Sequence, residues 1–314
     1  MAGQRKLRRG VGCPRSSVRS EWANRVKPNV VAIAVDANFF PPAAFLATRL
    51  AALNPRDDTG IVLFCDAVEL LRQAQAFSVP ADLRHVRAVP FPSRGRFTAA
   101  AYYRVFIPQA LGPEVRRILY LDADVYPENA GIFGLFDLDM GEHAVAAARA
   151  LAVDFSQGGG TRKTFNSGVL LIDRERYLAE DLANAVMKQV TSASTLDQDA
   201  LNAALRDKWL ELSPCMNMTE YASKAGGGSV RAALTHFAGQ SKPWHRDSVD
   251  HPSAKEISAY LASSPWSGYR DKFEPPGGRR PPIVPPATVA RAITAYLRET
   301  RFADVAQGLT PPLF

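Results

Sequence analysis

The chain has 314 residues, 46% of them apolar, and a formal charge of +7. That length suits one large α/β domain or two modest ones, and no stretch approaches the roughly 18 apolar residues of a spanning helix or the apolar core of a secretory signal. The charge sits at the ends: residues 1–27 carry +7 and residues 270–314 carry +3, which leaves the body between them at −3.

The ordinary reading of such basic ends is solvated, disordered arms; the alternative is peripheral contact with an anionic membrane surface, and no nucleic-acid partner is expected. Cys13, Cys65 and Cys215 are odd in number, widely separated and free of any CxxC or Cys/His spacing. Three free thiols suit a reducing compartment, so the expected location is cytoplasmic, or peripheral on the inner face of the membrane.

From Asn29 onward, short apolar runs alternate with helical patterns. NVVAIAV (29–35) predicts a buried strand and PPAAFLATRLAALN (41–54) a helix with its prolines at the tolerated start. TGIVLFCD (59–66) predicts a second strand, AVELLRQAQAF (67–77) a second helix and LRHVRAVPF (83–91) a third strand. TAAAYYRVFIPQAL (98–111) predicts a helix broken near Pro108, and RRILYLDAD (116–124) the next strand. Such alternation argues for a mostly parallel sheet with helices on both faces, and ligands of such sheets bind outside the carboxyl ends of the strands.

The second half is less regular. GEHAVAAARA (141–150) fits a strand or a helix, VDFSQGGGTRKT (153–164) is a Gly-rich loop, and FNSGVLLID (165–173) predicts a strand. RERYLAEDLANAVMKQV (174–190) predicts one helix, LDQDALNAAL (196–205) another, and ASKAGGGSVRAAL (222–234) holds a loop. PPGGRRPPIVPP (275–286) predicts a linker. In the terminal pattern TVARAITAYLRETRF (288–302), Val289, Ile293, Tyr296 and Leu297 share one helical face, with Arg291, Arg298 and Arg301 adding charge. That helix either docks on the body or lies on a membrane surface. The expected organisation is a basic arm (1–27), one catalytic domain (28–268), and a Pro-rich linker with a basic helix (269–314).

The chemistry begins at RILYLDADVYPEN (117–129), where an apolar strand ends in Asp122 and Asp124. Within a strand, residues two apart point to one side, so both carboxylates are expected at one spot. Two anions held together call for a cation, and a hard divalent ion, Mg²⁺ or Mn²⁺, fits oxygen ligands. An exposed turn with Asp as a turn former accounts for the same residues. FNSG offers Asn166, Ser167 and Gly168 at a strand start. LDQD offers Asp197 and Gln198, with Asp197 equally readable as a helix cap. THFAGQSKPWHRD (235–247) offers His236, Gly239 and Lys242.

In this order and spacing, the stretches resemble the retaining glycosyltransferases of family eight, most closely the bacterial lipopolysaccharide galactosyl- and glucosyltransferase branch. The resemblance runs from about Asn29 to Asp247. It implies a single GT-A-type nucleotide-diphosphosugar transferase domain with a mostly parallel central sheet flanked by helices, plus a C-terminal helical extension. It also implies a UDP-sugar donor, a glycan or glycolipid acceptor, and Mn²⁺ (or Mg²⁺) held by Asp122, Asp124 and His236.

By the same resemblance, Ala34, Asp36, Asn38 and Phe39 face uridine; the family often has Tyr at that last position, so this ring can still stack but offers no hydroxyl. Arg104 contacts the donor and Ala123 lies under the ribose. Asn166 and Ser167 sit near the donor sugar, with Ala commoner at the second position. Asp197 holds sugar hydroxyls, Gln198 faces the anomeric carbon, and Gly239 and Lys242 hold the diphosphate; Gln198 and Asp197 are the catalytic candidates. Two other readings stay open: a UDP-sugar-binding protein without turnover, and an aspartyl-phosphate phosphatase, in which the first Asp of DxD is the nucleophile.

Overall fold

In the computed structural model, which describes residues 27–87, 98–151, 163–192, 195–225, 231–246, 251–274 and 287–306, the run NVVAIAV forms β1 (Asn29–Val35), buried along its whole length. Its alternate residues feed two cores. Val31, Ile33 and Val35 face one side, Val30, Ala32 and Ala34 the other. A strand apolar on both sides is what a central, doubly covered strand requires, and each Val or Ile so buried contributes about 1.5–3 kcal/mol.

Helix α1 (Phe40–Leu53) covers the first face through Phe40, Ala43, Leu46, Ala47 and Leu50, with Pro41 and Pro42 in its first turn where no N–H partner is lost. β2 (Thr59–Cys65) and α2 (Val68–Phe77) follow as predicted from their apolar runs, whereas β3 (Asp82–His85) ends sooner than the predicted 83–91, of which 88–91 lie outside the described residues. The segment 98–111 departs from the predicted single helix. A 3-10 turn (Ala99–Tyr102) leads into α3 (Tyr103–Ala110), and Pro108 lies inside α3 without breaking it. In a helix this short, its missing N–H deprives only the carbonyl four residues earlier, that of Arg104.

β4 (Arg117–Leu121) stops before the DxD segment, and β5 (Val125–Pro127) begins after it. Asp122 and Asp124 therefore belong to a turn, closed by Val125 N–H donating to Asp122 O at 3.3 Å, and not to the strand itself. GEHAVAAARA resolves as a strand, β6 (Val145–Arg149), and FNSGVLLID as β7 (Phe165–Asp173). The predicted helix over 174–190 is two, α4 (Arg174–Ala179) and α5 (Leu182–Met187), interrupted at Asp181, whose φ of 50° is left-handed. That conformation cannot continue a right-handed helix.

Then come α6 (Asp197–Leu205), β8 (Leu210–Leu212), β9 (Met218–Thr219), α7 (Glu220–Ala225), β10 (Leu234–His236), α8 (Pro252–Ser263) and α9 (Ala287–Ala306). The main sheet has seven strands in the order β3-β2-β1-β4-β7-β6-β8. All run one way except β7, which is antiparallel to both β4 and β6. The sheet is thus mostly parallel, as the alternation predicts. β5, β10 and β9 make a second, small sheet.

Helix α9 docks on the body. Ile293 and Leu297 are buried against Leu151, Met218 and Ala222. No helix among the described residues is long and apolar enough to cross a membrane. The basic arm up to residue 26, Cys13, the 275–286 linker, most of the Gly-rich loop and residues 226–230 of the 222–234 stretch lie outside the described residues, as do the side chains of Val289, Arg298 and Arg301.

Candidate active site

Two features of the topology build one site at the carboxyl edge of the sheet. Because β7 runs backwards, its first residues lie beside the end of β4. Leu121 pairs with Val169, and Asp122 N–H donates to Gly168 O at 2.8 Å. That puts Asn166, Ser167 and Gly168 next to the DxD turn. Because β10 pairs with β5, His236 lies opposite Val125, and Phe237 N–H donates to Asp124 O at 2.9 Å. His236 thereby reaches Asp124 although far from it in sequence.

One ligand atom each from Asp122, Asp124 and His236 lies within 4.8 Å of the others. The approach depends on Gly168. A Cβ there would stand 2.3 Å from His236 Cε1 and 2.8 Å from Asp122 Oδ2, so only glycine leaves room for ring and carboxylate together. Two carboxylate oxygens and an imidazole nitrogen form a donor set that suits Mn²⁺ or Mg²⁺, and the residues fit such an ion.

The charges around this cluster are paired. Arg104 Nη2 is 2.8 Å from Asp122 Oδ1, and its Nε is 3.2 Å from Asp197 Oδ2. Arg104 Nη1 also donates to Ser167 O at 2.7 Å and to Ser167 Oγ at 3.1 Å, while the guanidinium covers the Tyr120 ring at 4.7 Å. Tyr120 Oη donates to Asp122 Oδ1 at 2.7 Å, and burial holds this phenol protonated far above its usual range. On the other side, Lys242 Nζ is 2.5 Å from Asp124 Oδ2, and His236 Nε2 is 3.3 Å from Asp124 Oδ1.

Burial would raise the Asp124 carboxyl, but Lys242 and His236 outweigh it and hold it far below the ordinary carboxylate range. Asp197 goes the other way. Burial raises its carboxyl, and Arg104 offsets only part of that. Helix α6 starts at Asp197 with Leu196 as its cap residue. Asp197 is thus the first helical residue, turned to Arg104 and to Ser167 Oγ at 3.1 Å, and not the cap. Asn202 clamps α6 to β7 by accepting from Phe165 N–H and donating to Phe165 O, both at 2.9 Å. Gln198 Oε1 accepts from Asn166 Nδ2 and from Ser167 N–H, each at 3.2 Å.

These groups open into one cavity of about 710 Å³, a size suited to a small-molecule ligand. Ala34, Asp36, Phe39 and Ala123 line it as well. Asp36 Oδ1 is engaged in capping a 3-10 turn through Asn38 and Phe39 N–H, at 3.0 and 3.2 Å. Two predicted residues do not line the cavity. Asn38 is turned to the C-terminal segment, donating to Asp271 Oδ1 at 3.1 Å and accepting from Lys272 N–H at 3.2 Å. Gly239 is flanked by Ala238 and Gln240, which do line it.

Sequence reasoning missed four contributors. Tyr120 and His245 lie inside strings already singled out, but nothing local marks their partners. Asn217 and Asp271 carry no signal at all. Asp271, buried at the cavity edge, accepts from Trp244 Nε1 at 2.9 Å, His245 Nε2 at 3.0 Å and Phe273 N–H at 2.8 Å. His245 Nδ1 in turn accepts from Lys242 N–H at 3.2 Å.

The sequence profile of Glycosyl transferase family 8 matches residues 30–248, more than half of the chain. The chain belongs to glycosyltransferase family 8. Among similar sequences, a lipopolysaccharide 1,3-galactosyltransferase of Salmonella typhimurium is 25% identical over 268 residues, covering 76% of this chain and 79% of its own. General stress protein A of Bacillus subtilis is 30% identical over 197 residues, 54% of this chain and 67% of its own. The galactosyltransferase LgtC, solved in complex with donor and acceptor sugar analogs, superposes with a TM-score of 0.66 at 20% identity, covering 77% of this chain and all of that one. That likeness establishes the shared GT-A fold.

Proposed function

We propose that this family 8 chain transfers a hexose, glucose or galactose, with retention of configuration, from a UDP-sugar to a glycan or glycolipid acceptor in lipopolysaccharide or surface-polysaccharide synthesis, assisted by Mn²⁺ (or Mg²⁺). The observation that carries the reading is the convergence of Asp122, Asp124 and His236 beside Arg104 and Lys242 in the lining of one cavity. The names of the lipopolysaccharide 1,3-galactosyltransferase and of a lipopolysaccharide 1,2-glucosyltransferase of Escherichia coli, 26% identical over 267 residues, support the substrate class.

Charge supports it too. Two cations, Arg104 and Lys242, face three carboxylates, Asp122, Asp124 and Asp197. Both cations are already engaged by these carboxyl groups, so the cluster has no spare positive charge for a diphosphate until a divalent cation joins it. When bound, that ion supplies Lewis-acid stabilisation of the leaving diphosphate. Lys242 adds a second cation for the charge that develops as the sugar–phosphate bond breaks, a contact of a kind worth about 2.7–4 kcal/mol of barrier. Phe39 offers an aromatic face to the base. Asp36 keeps Oδ2 for the nucleoside after Oδ1 is used in the turn.

For retention, Gln198 is a poor nucleophile because Asn166 and Ser167 already occupy its oxygen. Asp197 would have to leave Arg104 and Ser167 to attack. This favours front-face attack, with a diphosphate oxygen taking the acceptor proton and Asp197 and Gln198 holding the sugar. The phosphatase reading is disfavoured because Asp122, its nucleophile, is tied to Arg104 and Tyr120. The test is UDP release from UDP-galactose and UDP-glucose with and without Mn²⁺, beside Asp124→Ala. Mn²⁺-dependent release that disappears in the variant is expected. Mn²⁺-dependent UDP binding with no release from either sugar favours a binding protein without turnover.

A further inference from the structure

We propose that Asn217 is a positioning residue for the metal site, setting which nitrogen of His236 carries a proton. This rests on reading Asp122, Asp124 and His236 as ligands. The starting point is a backbone group that can only donate. Gly168 N–H bonds Asn166 at 3.0 Å, which fixes Oδ1 as the Asn166 atom facing it. That oxygen is 2.9 Å from the Asn217 side chain, which therefore presents Nδ2. Asn217 Oδ1 is then turned to His236 Nδ1 at 2.8 Å. An amide oxygen only accepts, so Nδ1 carries the proton. Nε2, on the Asp124 side of the ring, is the nitrogen left to offer a lone pair to a cation.

The arrangement is built into the fold. Asn217 is 5% and His236 2% exposed, so their hydrogen bond is made inside the protein. Asn217 ends a 3-10 turn (Pro214–Asn217) immediately before β9, and β9 pairs with β10 so that Thr219 lies opposite His236. The absent Cβ of Gly168 lets the ring sit where Asn217 meets it. The far end of the relay reaches the cavity, since Asn166 Nδ2 donates to Gln198 Oε1. One chain of amides thus aligns the metal-facing nitrogen and the group beside the sugar.

The test is Mn²⁺ affinity of the full chain without nucleotide or sugar, measured by titration calorimetry. Asn217→Ala is expected to weaken Mn²⁺ binding about 10–100-fold. Asn217→Asp keeps an acceptor for the Nδ1 proton but sets its second oxygen against Asn166 Oδ1 where an N–H stood, so it is expected to lose less Mn²⁺ affinity than Asn217→Ala. Thermal unfolding of each variant checks the fold. Unchanged affinity in Asn217→Ala, or an equal drop in both variants, overturns the proposal. A measurement on the wild type needs no variant: nitrogen NMR of the Mg²⁺-saturated protein, with His236→Ala for assignment, shows the proton on Nδ1 if the proposal holds and on Nε2 if it fails. Should the wild type bind no Mn²⁺, the metal reading itself falls and takes this inference with it. If it binds and Asp124→Ala abolishes binding while Asn217→Ala does not alter it, the inference alone falls.

Discussion

The Lys242 ammonium lies 2.5 Å from Asp124 Oδ2 and 2.6 Å from the Phe237 carbonyl, so the cation proposed for the diphosphate is held by the strand end that also carries His236. Removing it leaves a half-buried carboxylate short of one partner, which typically costs about 1–3 kcal/mol. Lys242→Met is expected to lower the thermal midpoint of the metal-free protein. Mn²⁺ is expected to stabilise this variant more than it stabilises the wild type, because the ion supplies the missing positive charge. Mn²⁺-dependent UDP release should fall about 10²–10³-fold. Thermal scans with and without Mn²⁺, beside release assays, read both effects.

Gly168→Ala puts a methyl group against His236 Cε1 and Asp122 Oδ2. Neither has room to retreat, since the ring is buried and Asp122 is tied to Arg104 and Tyr120. Overpacking of this kind costs about 1–3 kcal/mol. The expected outcome is a folded protein with Mn²⁺ affinity down at least tenfold; wild-type affinity would contradict the geometry of the cluster.

Arg104→Lys keeps the charge and removes the fork. A lysine cannot span Asp122, Asp197 and Ser167 together as the guanidinium does. Stability is expected to drop by about 2 kcal/mol or more, with UDP release down at least tenfold. Denaturant unfolding and release kinetics measure the two.

Asp271 governs an acid-sensitive part of the fold. Burial would raise its carboxyl, but hydrogen bonds from His245, Trp244, Phe273 N–H and Asn38 hold it well below the ordinary carboxylate value. A carboxyl depressed in the folded state contributes stability above its unfolded value and loses it as pH falls towards the folded one. Unfolding free energy should therefore fall between about pH 5 and pH 2. Asp271→Asn should lower the plateau at neutral pH by about 1–3 kcal/mol and make the acid limb shallower. The limb will not vanish, since Asp124, Glu128 and Glu211 are depressed as well.

Helix α9 uses its apolar face for packing, with Ile293 and Leu297 buried. Leu297→Ala is expected to weaken docking by about 2–5 kcal/mol. Hydrogen exchange should quicken across 287–306 and stay unchanged in β1 and β4. Retention on anionic vesicles at low salt should not depend on Leu297; weaker retention of the variant would assign this face to the membrane.

β1, β2, β4 and β7 were legible because each is an apolar run bounded by turn residues, whereas β5, β8, β9 and β10, two or three residues each, were not. β1 and β7 fall within the bounds their runs predict, and the side-chain period assigns β1 to two cores. Interruptions were not. The break at Asp181 needs a left-handed residue that no local pattern announces, and Pro108 is tolerated because α3 ends just beyond it. The DxD residues were located correctly but assigned to a strand; the ladder ends at Leu121, where the turn to β5 begins.

By itself, the sequence determined the alternation of elements, the kinds of ligand atom available and the family. Tertiary structure alone decided who meets whom. The reversal of β7 brings Gly168 to Asp122, the β10–β5 register brings His236 to Asp124, and Asn217 and Asp271 acquire partners that no spacing predicts. The reason is physical: a period of two fixes which face a side chain takes, whereas the neighbour across that face is set by strand order and register, which depend on contacts distant in the chain.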